Sequence, residues 1–422
     1  MRSKLSMLLF CGLALAAVIY FTRRGDAPTE AEPVAKPEAS AGARAGQAPA
    51  RPAKRPKIDI ALALDTSSSM TGLLQAARQR MWEIVNEVAK IEPIPDLRVA
   101  LISYGKRGTE QDGYIEIQSD FTTDLDAIYA KLHELDAFGG CGAERVTRAI
   151  ARSVKELSWS TEAQTLRQIY VAGNESAEQD NQVSLAAAVK LAQDSDIFVN
   201  TIFCAGATIR DHSQDDSKDV MGWRKLAEGG RGLFAAINHD KAPVAIKTPY
   251  DDTINALGAQ LNQTYVAYGA QGQAKAANQR AQDDNALRLS ATVAASRTLA
   301  KASRVYRNDS WDLVDARKAG KLAKIQPAAL PAPLKGKSGR ELNAYLDGVE
   351  RQRKTIQTKI KALDRQRAAY VDAEQKKRGA AADADAEELG FGVAVKRALR
   401  SQAAKKFRSG KAGGKLRPPK SS

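Results

Sequence analysis

Between residues 57 and 269 the chain alternates between two hydrophobic periods. Nearly continuous aliphatic runs occur at 58–64, 97–104, 168–172 and 197–203, with weaker ones at 114–117 and 232–236. Between them apolar residues recur every three or four positions, over 71–90, 124–135, 144–157, 183–193, 220–228 and 251–268. The first kind suits strands buried on both faces; the second suits helices with one apolar stripe. In 71–90 the stripe is Leu74, Ala77, Met81, Ile84, Val85 and Val88. In 124–135 it is Leu125, Ile128, Tyr129 and Leu132, behind Thr122 or Thr123 as cap. The weak alternation at 114–117 reads as an edge strand. Strands alternating with helices predict an α/β fold: a doubly wound, mostly parallel sheet flanked by helices. Ligands of such sheets bind beyond the carboxyl ends of strands, where the strand order reverses. Asp65 stands at such an end.

After residue 269 the pattern turns helical. Residues 270–325 form an Ala-rich helical extension with an aromatic cluster of Tyr306, Trp311 and Leu313, and Asp309 or Ser310 to cap the Trp311 helix. A Pro-rich linker covers 327–333. Ser338 to Glu341 has the form of a capping box and opens a helix over 338–378. In it Leu342, Leu346, Val349, Arg353, Ile356, Ile360, Leu363, Arg367 and Tyr370 keep a strict 4-3-4-3 spacing. That is a heptad seam with arginines at two core positions. It reads as a partly coiled-coil C-terminal region: a helix packed on its own domain, one arm of a hairpin, or a self-association helix. Residues 379–422 read as a basic tail, rich in Gly, Pro and Ser toward its end and partly disordered.

Charge divides the chain the same way. The net charge is +15, yet 58–269 hold 20 Lys+Arg against 30 Asp+Glu, while 270–422 hold 34 against 15. An acidic domain therefore precedes a strongly basic C-terminal region. The N-terminus is basic at Arg2 and Lys4, apolar over 5–21, and closed by Arg23 and Arg24. Residues 1–25 read as a signal anchor or a cleaved signal peptide, with a lipoprotein at Cys11 as a third reading. Residues 26–56, rich in Ala and Pro, read as a linker. Either leader places the protein in the cell envelope, anchored in the inner membrane facing the periplasm, or secreted if the signal is cleaved.

The chemistry centres on Asp65-Thr66-Ser67-Ser68-Ser69. Asp65, Ser67 and Ser69 offer three oxygens to one point on a tight turn. A hard cation such as Mg²⁺ takes oxygen ligands and keeps open positions that a partner's carboxylate can fill. An Asp-x-Ser-x-Ser turn after a buried strand, with this strand–helix order over 57–269, resembles the metal-ion-dependent adhesion site of von Willebrand factor A domains. The resemblance implies a divalent cation, Mg²⁺ or else Ca²⁺ or Mn²⁺, and a protein partner at the top face. It also implies a Thr after a Gly-Gly turn, where this chain has Cys141, a poor ligand for hard cations. Glu144 is close enough to substitute. Where the family places an Asp-Gly pair, this chain has Asn174 and Glu175, either of which can supply an oxygen. Residues 168–175, 200–204 and 311–316 are also similar to a group of bacterial extracytoplasmic proteins with this domain and a helical C-terminal region.

Cys141 and Cys204 both fall at the carboxyl edge of the sheet and read as a disulfide or as two buried thiols. The histidines, His133, His212 and His239, lack ligand spacing, and His133 reads as a helix-surface residue. Asp211, Asp215, Asp216 and Asp219 read as a solvated loop. No phosphate loop, nucleophile elbow or zinc spacing occurs, so no enzyme is expected. The expected function is a membrane-tethered or exported protein-binding module using the top face of the domain. The alternative is tail-led binding to an anionic membrane, an envelope polymer or nucleic acid, with the domain purely structural. Export argues against nucleic acid.

Overall fold

Nine residues, Lys57–Asp65, form the central strand β1, and their alternation sets both layers of the molecule. Ile58, Ile60, Leu62 and Leu64 enter one hydrophobic cluster, while Ala61 and Ala63 enter another on the opposite face. In this computed structural model the described residues are 55–139, 144–205, 218–238, 246–381 and 391–408. The segments 1–25 and 26–54, Cys141, His212, His239, the acidic loop up to Asp216 and residues 409–422 lie outside them.

The remaining strands are β2 (Asp96–Tyr104), β3 (Ile115–Thr122), β4 (Thr165–Gly173), β5 (Phe198–Ala205) and β6 (Arg231–Asn238). The sheet order is β3-β2-β1-β4-β5-β6. All pairs are parallel except β2 with β3, so the weakly patterned segment is an antiparallel edge strand, as its alternation indicated. The chain winds outward from β1 in both directions. The carboxyl ends of β1 and β4 therefore flank the crevice where the order reverses.

Helices α3 (Val146–Glu156), α4 (Leu185–Asp194) and α5 (Lys218–Gly229) cover the face of Ala61 and Ala63. Helices α1 (Thr71–Val88) and α2 (Leu125–Glu134) cover the other face beside β1 and β2. Helix α6 (Asp251–Asn262) is shorter than its periodicity suggests. Residues beyond it are drawn into a bridge from Ala267 to Asp312, and Val266 N–H donates to the Asp312 carboxylate at 2.7 Å. Helix α6 packs on α8 (Ala291–Ala302), which with α7 (Gly272–Leu289) and the short α9 (Leu313–Lys318) builds the helical extension.

Helix α10, Gly339–Ala381, has 43 residues and spans about 65 Å. Its heptad seam is satisfied within the chain. Leu346 joins Val266, Leu313, Val314 and Leu334; Ile356 and Ile360 join Leu257, Leu261 and Ala302. Of the readings the seam allowed, the structure shows the helix packed on its own domain, and the two arginines explain how. Arg353, 2% exposed, donates to both oxygens of Asp312 at 2.7 and 3.1 Å, to Asp315 at 3.0 Å and to Thr264 Oγ1 at 3.0 Å. Arg367 donates to the buried Asp251 at 2.9 Å. A charge at a core position is tolerated when its partner is fixed opposite it. Asp312 also caps α9 by accepting from Asp315 N–H at 3.0 Å, so the Trp311-Asp312-Leu313 stretch is a structural joint.

Residues expected to be basic tail instead contribute helix α11, Phe391–Arg408. It lies against α1 and strands β4 to β6, with Phe391, Val395 and Leu399 at 1% exposure or less. Gln402 sits in a buried amide cluster, accepting from Gln168 at 2.5 Å and donating to Asn200 at 2.6 Å. The sheet's second face is thus completed by residues nearly at the far end of the chain. The cations of α11 meet the acidic domain: Lys396 pairs with Glu83 at 3.1 Å, Arg400 with Glu87 and Lys406 with Asp196 at 2.6 Å.

Candidate metal centre

The turn after β1 is held from three sides. Thr66 N–H and Oγ1 both donate to Tyr104 O, at 2.9 and 3.0 Å. Ser68 N–H donates to Gly139 O at 2.9 Å, and Phe138 N–H donates to Thr66 O at 3.0 Å. Asp65 Oδ1 accepts from Ser67 N–H at 2.7 Å, which curls the chain back over its own carboxylate. Ser67 Oγ and Ser69 Oγ are 3.2 Å apart, and Asn174 Nδ2 donates to Ser69 Oγ at 3.1 Å. The structure thus brings together Asp65, Ser67, Ser69 and Asn174, drawn from the carboxyl ends of β1 and β4.

Glu144 completes the group, just ahead of α3. It is 5% exposed, and its backbone N–H donates to Gln179 Oε1 at 2.9 Å. Gln179 in turn donates to Glu175 at 3.1 Å. Glu175 is solvent-exposed and reaches the site through Gln179 and through its charge. Burial pushes the Asp65 carboxyl above its ordinary range. Burial, and then the Asp65 carboxyl beside it, pushes Glu144 up as well. Like charges this close in a dry setting cannot both ionise without a cation between them.

Three buried oxygens of this group, Asp65 Oδ2, Glu144 Oε2 and Asn174 Oδ1, accept no hydrogen bond. Buried acceptors are rarely left so, and each requires an explanation. Two carboxylates, an amide oxygen and two hydroxyls form a hard, all-oxygen donor set of the kind Mg²⁺, Ca²⁺ and Mn²⁺ take. Among the described residues no three His, Cys, Asp or Glu side chains converge on one point, so the set depends on its neutral oxygens. The residues present fit a divalent cation.

Two glycines and a tyrosine escaped the sequence reading. Gly105 has φ +81°, and a Cβ there would lie 2.8 Å from Asp65 Oδ1 and 3.5 Å from Glu144 Cγ. A Cβ on Gly173 would lie 2.5 Å from Tyr104 Oη and 3.1 Å from Asp65 Oδ2. Tyr104 Oη donates to Ala172 O at 2.8 Å, tying β2 to β4 beneath the end of β1. A glycine at the carboxyl end of each of two strands was the available signal. Cys204 is a buried, free thiol, raised by burial and then by the Asp65 carboxylate; its expected partner Cys141 lies outside the described residues. His133 is not a free surface group. Its ring meets Tyr129 edge-on at 4.7 Å, and its Nε2 is buried without a partner.

Sheet order, antiparallel edge and helices on both faces give the chain a doubly wound fold of the von Willebrand factor A/Rossmann-like kind, with the Asp65 turn at its switch point. No protein-family model matches the chain, and no curated protein matches it. Solved structures similar to it include proximal thread matrix protein 1 from the mussel byssus, with a zinc-occupied metal-ion-dependent adhesion site. That match has 15% identity and TM-score 0.33, over 44% of this chain and 43% of the mussel protein. An aerotolerance-related membrane protein from Bacteroides fragilis matches at 17% identity and TM-score 0.28, over 43% of this chain and 92% of that one. The von Willebrand factor domain of the pilus tip protein Mfa5 from Porphyromonas gingivalis matches at 14% and 0.32, over 44% and 92%. The match thus spans less than half of the mussel protein's length.

Proposed function

We propose that the chain is a protein-binding module whose top face holds a divalent cation between Asp65 and Glu144, with Ser67, Ser69 and Asn174 as neutral ligands. The observation that carries this reading is the trio of buried, unpartnered oxygens at the switch point of the sheet. A cation held by few protein oxygens keeps open positions, and a carboxylate of a protein partner is the group of matching hardness and charge. Phe138 stands 65% exposed beside the turn, its backbone fixed to Thr66, and gives that partner an apolar contact at the rim. The site's own residues fix and neutralise the cation, and the reading assigns no catalytic step.

The leader expected over 1–25 would carry this domain into the envelope, consistent with a partner there. Among the described residues no helix is long and apolar enough to cross a membrane. The tail-led alternative is weakened, because Lys396, Arg400 and Lys406 are paired with the domain itself.

Calorimetric titration of the full chain with Mg²⁺, Ca²⁺ and Mn²⁺ tests the reading, with Asp65→Ala as control. Saturable heat with at least one ion, lost in the variant, is expected. No heat with any ion would remove the cation from the proposal.

A further inference from the structure

Helix α10 carries cations of two kinds. Arg353 and Arg367 point inward and are matched by Asp312, Asp315 and Asp251. On the solvent side Arg351, Lys354, Lys361 and Arg365 are all exposed. With Thr358 between them they follow a 3-4-3-4 spacing, which on a helix is one straight row. At about 100° per residue the row lies to the solvent side, about 95–175° around the helix from the buried line of Leu346, Arg353, Ile356 and Ile360. It runs for about 21 Å at the helical rise per residue. None of its four members joins an ion pair with a described residue; the helix carboxylates beside the row are Asp347 and Glu350, both paired with Arg317, and Asp364, which faces Lys90, Arg367 and Arg365.

We propose that this outer face of α10 docks on the anionic headgroups of a phospholipid bilayer. The inference is independent of the cation site. The row is convex and stands on a rigid rod, so all four charges can meet a plane at once. It has no groove to enclose a strand, and no aromatic residue lies between 351 and 365 to stack on a base. The exposed residues among the cations are Gln352, Thr355, Lys359, Ala362 and Gln366, with no large apolar side chain to insert into acyl chains. Attachment is therefore electrostatic and reversible, and it acts within a Debye length of about 8 Å at physiological salt. The charge-complementary occupant of such a face is a negatively charged plane.

The test is co-sedimentation of the full chain with vesicles of phosphatidylcholine alone, and with about a third phosphatidylglycerol. The difference between the two removes any apolar contribution from residues 5–21. Expected is selective binding to the anionic vesicles, abolished at about 0.5 M salt. The variant Arg351→Glu/Lys354→Glu/Lys361→Glu/Arg365→Glu should lose at least about tenfold in affinity. The milder Lys354→Gln/Lys361→Gln, which preserves helix propensity, should lose several-fold, so the result does not depend on the fourfold variant folding. A chain ending at residue 408 should bind as before. The proposal is overturned if the glutamine variant binds like the parent or if removal of 409–422 abolishes binding. It is likewise overturned if an oligonucleotide of equal charge is preferred to the vesicles.

Discussion

Replacing Leu399 by aspartate should uncouple α11 from the sheet and cost a large part of the domain's stability. Leu399 is fully buried between α1 and the strands β4 to β6, among Phe391, Val395 and Ala398. Truncation at such a position, Leu399→Ala, costs about 2–5 kcal/mol through lost transfer free energy and the cavity left behind. Aspartate removes the same contacts and adds a charge with no partner, which the fold avoids by releasing the helix. The loss is then capped at the docking free energy of α11, and it uncovers the faces of Tyr170, Ile202, Ala235 and Ile237. Against a typical total of about 5–15 kcal/mol this is decisive. The three ion pairs are partly buried, with Glu87 only 6% exposed, so desolvation offsets much of their attraction and the apolar contact dominates. Urea unfolding monitored by circular dichroism measures the effect. Ala404→Asp, at an exposed position of the same helix, serves as the control and should cost under about 1 kcal/mol. If Leu399→Asp unfolds at the same urea concentration as the control, α11 is not part of the domain's core.

Glu144→Gln should raise the melting temperature of cation-free protein at neutral pH, since Glu144, pushed up to about 10, must take up a proton to be buried there and glutamine need not, and it should abolish stabilisation by added divalent ions; differential scanning fluorimetry with and without Mn²⁺ checks both. Arg353→Ala should destabilise by about 3–5 kcal/mol, because Asp312 would keep a buried charge, whereas Arg353→Met with Asp312→Asn should recover part of that loss in denaturant unfolding. His133 is depressed from about 6.5 to about 4, first by burial and then by Arg78 and Arg288. The unfolded chain therefore binds the proton first, and stability, full above about pH 6.5, should decline as pH falls toward about 4. His133→Gln should flatten that slope in melting curves taken across this range.

The strands were legible because burial on both faces leaves long aliphatic runs, and β1 to β6 fall where those runs lie. The Asp65 turn was legible because its five residues carry both the bend and three candidate ligand oxygens. Helix α11 was not, although Phe391, Val395, Ala398, Leu399 and Gln402 keep helical spacing. Its cations gave the stretch the look of a tail, when they are there to meet Glu83, Glu87 and Asp196. The heptad seam was visible while its partner was hidden, since Asp312 lies 41 residues before Arg353 and nothing local links them. Glu144 was within reach of sequence reasoning as a substitute ligand. Gln179, which positions it through a backbone hydrogen bond, was not, because an amide in a loop carries no periodic signal.

The seat of α11 also fixes when the molecule can finish folding. Gln168 and Gln402, in contact across the sheet, are 234 residues apart in sequence. Ribosomes add about 5–20 residues per second, so strands β4 and β5 wait roughly 10–50 s for their cover to be made. Throughout that interval a face built of Tyr170, Ile202 and their neighbours stands open to water and to other nascent chains. A chain arranged this way depends on being shielded from its own copies until α11 arrives.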